Sequence, residues 1–374
     1  MVGDVFEKNT LTKGVFLLYF FLPMLTKKKG VFLLKKHFIV TLTIIVALTL
    51  MLAGCGSSAN NNSKTEAPSQ ETADAEKVFK IGISQFVEHP ALDGARQGFI
   101  DGLKEAGFEE GKNMEIILEN AQADFPTTQT IANNLVRENV DLILAIATPS
   151  AQSAANATKD IPILITAVTD PVEAGLAKSL EKPGTNVTGT TDMNPVKQQI
   201  ELIKEILPGA KNIGIVYNAA EPNSVIQVNI AKESAQALGL QVHEATVANS
   251  SEVNQAMQSL AGKVDAIYTP TDNTVASAMG AIIKVANDAK IPVIGAESGH
   301  VEGGALAALG IDYYLLGKQT GLVAAKVLNG ENPADIPIEG SKDLKLIINK
   351  KSAEILNLNI PESVLNRADE IIEK

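Results

Sequence analysis

Six acidic side chains fall at or just beyond the carboxyl ends of short apolar runs: Glu88, Asp170, Glu221, Asp272, Glu297 and Asp312. No arginine stands in any of these loops, since residues 55–374 hold only Arg96, Arg137 and Arg367. Carboxylates without guanidinium partners suit a ligand bearing an ammonium. A phosphate or dicarboxylate would find no bidentate donor waiting. Each acid also has a plainer reading as a helix N-cap, and Asp312 fits that reading as well as the functional one.

A ligand with an ammonium and a carboxylate needs donors too. Thr148-Pro149-Ser150-Ala151-Gln152 follows a buried run and reads as a helix start, whose free backbone N–H groups can hold a carboxylate. Asn218, Glu221, Asn223 and Ser224 in YNAAEPNS offer similar groups elsewhere. Phe86, Tyr217, Tyr268, Tyr313 and Tyr314 stand near strand ends, where a flat ring can pack on a small ligand, although strands favour aromatic residues anyway. Together these groups fit a free α-amino acid. A sugar would ask for more side-chain donors and a stacking tryptophan, and the chain has no tryptophan.

Catalytic chemistry finds little support. Residues 55–374 contain no P-loop, GxGxxG, CxxC, HExxH or GxSxG spacing, so neither an enzyme nor a cofactor is expected. Their three histidines, His89, His243 and His300, are scattered, and a metal pair of His89 and His300 with Glu88 and Glu302 is outweighed by ordinary loop histidines.

The only cysteine, Cys55, stands in LMLAGCGSS. Lys35 and Lys36 precede a nearly unbroken apolar run from Phe38 to Leu52, too short for a comfortable membrane span and suited to an export signal. The sequence Leu52-Ala53-Gly54-Cys55 looks like a lipobox, making Cys55 the expected lipid attachment point. Residues 56–77 are poor in apolar side chains and read as a disordered tether reaching at most about 70 Å. Lys27-Lys28-Lys29-Gly30 looks like a translated ribosome-binding sequence, which would put the true start near Val31 to Leu34. Removing the seven basic and two acidic residues of 1–54 leaves 25 basic and 41 acidic, a net charge of about −16. That balance argues against nucleic acid or an anionic lipid surface as a partner.

These groups must be positioned by alternating strands and helices. Phe79 to Ser84, Met114 to Leu118, Val140 to Ala147 and Ile161 to Val168 read as strands. Leu92, Ala95, Phe99, Leu103 and Ala106 form one helical stripe that stops at Gly107, and helices are expected over 127–138 and 150–158. Single helices between strands imply parallel pairing with right-handed crossovers. The order then returns: KIGISQF (80–86) is echoed by NIGIVYN (212–218), VDLILAIATPSAQSA (140–154) by VDAIYTPTDNTVASA (264–278), and IPILITAVTD (161–170) by IPVIGAESGH (291–300). The fold class expected is α/β, with two doubly wound parallel-sheet lobes joined by a hinge. A ligand would lie beyond the carboxyl ends of the strands, between the lobes.

QFVEHPALD (85–93), ATPSAQSA (147–154), TDPVEAGL (169–176), YNAAEPNS (217–224), TPTDNTV (269–275) and DYYLLGKQTG (312–321) together resemble the substrate-binding lipoproteins of ABC importers with a type I periplasmic-binding-protein fold, tryptophan/tyrosine-type branch. The resemblance spans about residues 78–349. It implies closure of two lobes around an amino acid, with contacts at Phe86, Glu88, Ser150, Ala151, Asp170, Asn218, Glu221, Asn223, Ser224, Asp272 and Asn273. It implies three crossings between lobes, with residues 78–193 and 303–335 in the first and 194–302 and 336–374 in the second. The expected partners are an ABC permease and its ATPase, reached by a lipid-anchored monomer on the outer face of the cell membrane. Two other outputs fit parts of the pattern: a ligand sensor for a membrane signalling partner, and a two-lobed transferase-like enzyme.

Overall fold

The computed structural model describes residues 77–341 and 344–373. Cys55, the signal segment, the start near Val31 and nearly all of the tether lie outside the described residues.

Two sheets carry the fold. The first contains Phe79–Gln85 (β1), Met114–Asn120 (β2), Leu142–Ile146 (β3), Ile163–Val168 (β4), Val187–Thr191 (β5) and, at its edge, Glu339–Gly340 (β11), in the order β11-β5-β4-β3-β1-β2. The second contains Asn212–Asn218 (β6), Gln241–Val247 (β7), Ala266–Thr269 (β8), Val293–Gly295 (β9), Ala307–Ile311 (β10), Leu344–Asn349 (β12) and Glu370–Ile372 (β13), in the order β13-β12-β10-β9-β8-β6-β7. The cores β5-β4-β3-β1-β2 and β10-β9-β8-β6-β7 share one order, and the three sequence echoes fall on β1 and β6, β3 and β8, and β4 and β9. Two doubly wound lobes are therefore present.

The repeated Val-Asp and Ile-Pro dipeptides have a common cause. Asp141 accepts the N–H of Lys80 at 2.8 Å, and Asp265 accepts those of Lys211 and Asn212 at 2.8 Å, so each aspartate ties the start of β1 or β6 to the strand beside it. The carbonyls of Pro162 and Pro292 each accept from the next strand at 2.9 Å, from Ile143 and Ile267.

The structure corrects the lobe boundaries. Ala307–Ile311, expected in the first lobe, is β10 of the second sheet, parallel to β9. Glu339–Gly340, expected in the second lobe, pairs with β5 in the first. An apolar run announces a strand without naming its sheet. Pairing is also not uniformly parallel, because β12 runs antiparallel to β10. The chain passes between lobes after Thr191, after Ile311 and after Gly340.

Helices cover both faces. In helix Pro90–Glu105, Leu92, Ala95, Phe99 and Leu103 are buried as the spacing requires, while Ala106 is the exposed C-cap before Gly107 turns the chain at φ 94°. Its partner in the first lobe is helix Tyr313–Leu328, and the two approach to backbone contact. A Cβ on Gly98 would lie 2.0 Å from the Tyr314 carbonyl oxygen, and one on Gly317 would lie 1.9 Å from that of Ala95. No other residue fits such a crossing.

Candidate functional site

The carboxyl ends of both sheets face each other, and the lobes are closed. Gln227 of the second lobe donates to Thr169 of the first at 3.3 Å, and His89 of the first lies 3.4 Å from Asn273 of the second. Between them is a cavity with about 250 Å³ of space outside atoms, little of which would admit a water molecule. Ligand entry requires the lobes to part. His89, Leu92, Ala167, Thr169, Asp192 and Tyr313 line it from the first lobe, and Asn223, Thr271, Asp272, Asn273, Ala276 and Glu297 from the second, with no lysine or arginine among them. A wider hollow of about 770 Å³ lies beside the last crossings, but Lys345 there is already bonded to Asp312 at 2.9 Å.

The wall from the second lobe is a connected polar network. Glu221 accepts five hydrogen bonds: from the backbone and hydroxyl of Thr274 at 2.9 and 2.7 Å, the backbone and amide of Asn273 at 3.0 and 2.6 Å, and the amide of Asn223 at 3.2 Å. Asp272 accepts from the Asn218 N–H at 2.6 Å, the Ser224 hydroxyl at 2.7 Å and the Val275 N–H at 2.8 Å. Asn218 donates its amide to Thr274 at 3.0 Å. Burial, aided by the charge of Glu221, pushes the Asp272 carboxyl well above its usual range. Asp272 caps helix Asn273–Ala276 while lining the cavity, so the capping and cleft readings hold together.

The facing wall is differently built. Tyr313 donates to Asp192 at 2.6 Å, and Thr169 donates to the other oxygen of Asp192 at 3.0 Å. Burial raises the Asp192 carboxyl against these two donors, and burial beside Asp192 raises the Tyr313 hydroxyl well above its usual value. At the ends of β3 and β4, Ala147 and Ala167 hold φ of 77° and 56°, conformations that cost an alanine about 1 kcal/mol or more and cluster where ligands are held. Thr148 and Ser150 follow at the start of helix Thr148–Ala157, both buried, and neither hydroxyl has a hydrogen-bond partner among the described residues.

Of the eleven expected ligand contacts, Asn223, Asp272 and Asn273 line the cavity, and Asn218, Glu221 and Ser224 brace them from behind. Ser150 and Ala151 are buried at the helix start. Three stand apart. Phe86 is fully buried in the first lobe's core with its ring 5.1 Å from that of Phe125, Glu88 is exposed, and Asp170 closes a local turn through the N–H groups of Val172 and Glu173 at 3.0 Å. The Phe86 ring, foreseen to stack on a ligand, turns into the core of the lobe. Replacing Phe86 by alanine is expected to cost about 3–5 kcal/mol of unfolding free energy through the cavity it leaves, read by urea denaturation.

Among the strand-end tyrosines, Tyr313 lines the cavity. Tyr268 is buried with its hydroxyl on Gln199 at 2.6 Å, Tyr217 bonds Glu244 at 2.9 Å, and Tyr314 bonds Asp101 at 3.0 Å. The sequence reading missed His89, Thr169, Asp192 and Thr271, and left Glu297 among the undifferentiated acids. Thr169 and Thr271 each precede an expected acid by one residue, and His89 follows Glu88 by one. His89 and His300 do come together, around Glu297 and not around Glu88 or Glu302. Glu297 Oε1 lies 4.0 Å from His89 Nδ1 and 3.4 Å from His300 Nε2. Burial lowers both imidazoles, His89 to about 4 and His300 to about 3, and burial next to Asp192 raises Glu297 to about 8. The described residues include no group of three His, Cys, Asp or Glu placed to hold a metal.

Known proteins share this arrangement. Residues 80–372 match the family model described as ABC transporter substrate binding protein. A tyrosine-binding protein of Clostridioides difficile (strain R20291) is 49% identical over 320 residues, 85% of this chain and 92% of that protein. A Streptococcus pneumonia domain in complex with L-Trp is 42% identical and superposes with a TM-score of 0.77, covering 79% of this chain and 100% of that one. A ligand-free, open substrate binding protein with adhesive properties from Clostridium difficile is 52% identical at the same coverage, yet its TM-score is 0.61. With its paired sheets, facing strand ends and a model match over most of its length, the chain belongs to the family of ABC transporter substrate binding proteins.

Proposed function

We propose that the protein captures an aromatic α-amino acid between its lobes and hands it to an ABC permease from a lipid anchor at Cys55 on the outer face of the cell membrane. The observation that carries the ligand class is the cavity itself: both lobes line it, Asp192, Asp272 and Glu297 enter it, and no lysine or arginine does. An ammonium is the complement of such a wall. The unpaired hydroxyls of Thr148 and Ser150, with the N–H groups of their helix start, fit the ligand's carboxylate. Leu92, Ala167, Ala276 and the ring of Tyr313 supply apolar surface for a side chain. The tyrosine-binding relative and the L-Trp complex favour an aromatic one.

Capture works by population shift. Only the closed state offers both walls, so a ligand that touches both stabilises closure, and a permease reads the closed form. The monomeric state and the anchor at Cys55 belong to the same proposal. They rest on the lipobox and on the family's place in ABC transport.

A thermal-shift screen of the 20 standard amino acids tests the ligand. Tyrosine or tryptophan at a hundredfold excess over Kd is expected to add about 2.7 kcal/mol to unfolding, a rise of several degrees. No response to any amino acid would end the proposal.

A further inference from the structure

The acids around the cleft are not equivalent. Glu221 already accepts five hydrogen bonds, Asp272 three and Asp192 two, all from protein donors at 3.2 Å or less. Glu297 lines the same cavity and is buried, with Tyr313 beside it, His300 Nε2 at 3.4 Å and His89 Nδ1 at 4.0 Å as its surroundings. Of these acids it keeps the most acceptor positions open for a ligand.

The ring tautomers around it can be read from their other contacts. The Ala296 N–H, shared with the Thr269 carbonyl, points at His300 Nδ1 at 3.3 Å, and the Thr269 hydroxyl lies 3.1 Å from the same nitrogen; with Nδ1 accepting from both, the ring proton is on Nε2, 3.4 Å from Glu297 Oε1. The Asn273 amide gives its NH₂ to Glu221, leaving its carbonyl oxygen 3.4 Å from His89 Nε2. That nitrogen therefore carries the proton of His89, and His89 Nδ1 is a bare lone pair, buried and without a partner, 4.0 Å from the same oxygen of Glu297. A carboxylate and a lone pair repel. A carboxylic acid resolves the clash by pointing its proton at Nδ1.

The other titratable or charged groups facing Glu297 divide between raising and lowering its carboxyl. Asp192 at the first crossing and Glu302 on its own helix oppose its ionisation. Tyr313, at the start of the last long helix, donates its hydroxyl proton to Asp192 and, lying also beside Glu297, partly offsets the rise. Lys345, on the strand beside that helix, is paired with Asp312.

We propose that Glu297 is the residue that receives the ligand's ammonium, and that each capture expels one proton from its carboxyl group to solvent. The ammonium keeps its three protons and takes the place of the departing one, so the site's charge is conserved while one proton leaves. This rests on the amino-acid reading above. It adds a specificity-determining residue and a pH dependence to it. The sign follows from linkage: the liganded state holds one proton fewer, so affinity rises with pH where the free protein is protonated at Glu297, and levels off above about 8. Below about 5 the histidines begin to charge and confuse the readout, so pH 5.5 to 8 is the useful window.

Titration calorimetry with L-tyrosine and L-tryptophan at pH 6.5, in buffers of different ionisation enthalpy, counts the protons. The expected result is about one proton released per ligand, with affinity rising about tenfold per pH unit up to pH 7.5. Glu297→Gln copies the protonated form, since its amide oxygen can accept from His300 and its NH₂ can donate to His89, so it should fold and melt as the native chain does. It should release no proton, bind with pH-independent affinity, and bind roughly a hundredfold or more weakly at pH 8. It should also lose most of the preference for L-tyrosine over 3-(4-hydroxyphenyl)propionate, which lacks the ammonium. Native protein that binds either amino acid with no proton release and a flat pH profile overturns the inference and leaves the amino-acid reading standing. Absence of any binding overturns both.

Discussion

Gly317→Ala is expected to destabilise the protein by about 3 kcal/mol or more and to weaken ligand binding with it. The added Cβ would sit 1.9 Å from the Ala95 carbonyl oxygen, far inside van der Waals contact, and the obstacle is backbone that no rotamer change can move. Gly321, one turn on, meets Phe99 in the same way at 2.3 Å, so the helices cannot slide to relieve the clash. Tyr313, on the first turn of the displaced helix, carries the hydroxyl that Asp192 accepts. Gly280→Ala is the matched control: it lies on the exposed side of helix Met279–Ala289 with nothing within 4 Å of the new methyl, and should be neutral or stabilising by up to about 1 kcal/mol. Urea denaturation of both variants decides. A Gly317→Ala midpoint equal to that of the native chain would mean the two helices are not in backbone contact.

Glu221→Ala is expected to cost about 3–5 kcal/mol and to abolish binding at micromolar ligand. Truncation leaves two backbone N–H groups, a hydroxyl and two amides without their acceptor in a fully buried place. Asn223 and Asn273 would then lose their orientation, and both line the cavity. Glu221→Gln should be milder in packing but still damaging, because its NH₂ faces donors. Denaturation and calorimetry on the two variants separate the losses. Native-like stability in the alanine variant would show that the network is dispensable.

The fold was legible because each strand is an apolar run between turns and because the second half repeats the first. The Val-Asp and Ile-Pro echoes are visible in the sequence since each dipeptide does the same hydrogen-bonding work in both sheets. The second crossing was not legible in detail: Ala307–Ile311 announces a strand, but its partners on either side, β9 and β12, are set by edges the sequence does not mark. At the cleft, the expected loops reach the cavity, but within several of them a neighbour of the expected residue lines it. Side chains leaving a strand alternate in direction, so Thr169 reaches the cavity where Asp170 turns away, and His89 reaches it where Glu88 meets solvent. Asp192 escaped because it sits at the first crossing, outside the repeated strands, and no periodic signal singles it out.

The backbone contact between helices Pro90–Glu105 and Tyr313–Leu328 has a mechanical outcome. His89 immediately precedes one helix and Tyr313 begins the other, so the two side chains ride on a single stiff block, while Glu297 belongs to the opposite lobe. When the lobes separate, imidazole and phenol must withdraw from that carboxyl group in one stroke, which makes the closure a catch with two settings and no half-engaged position between them.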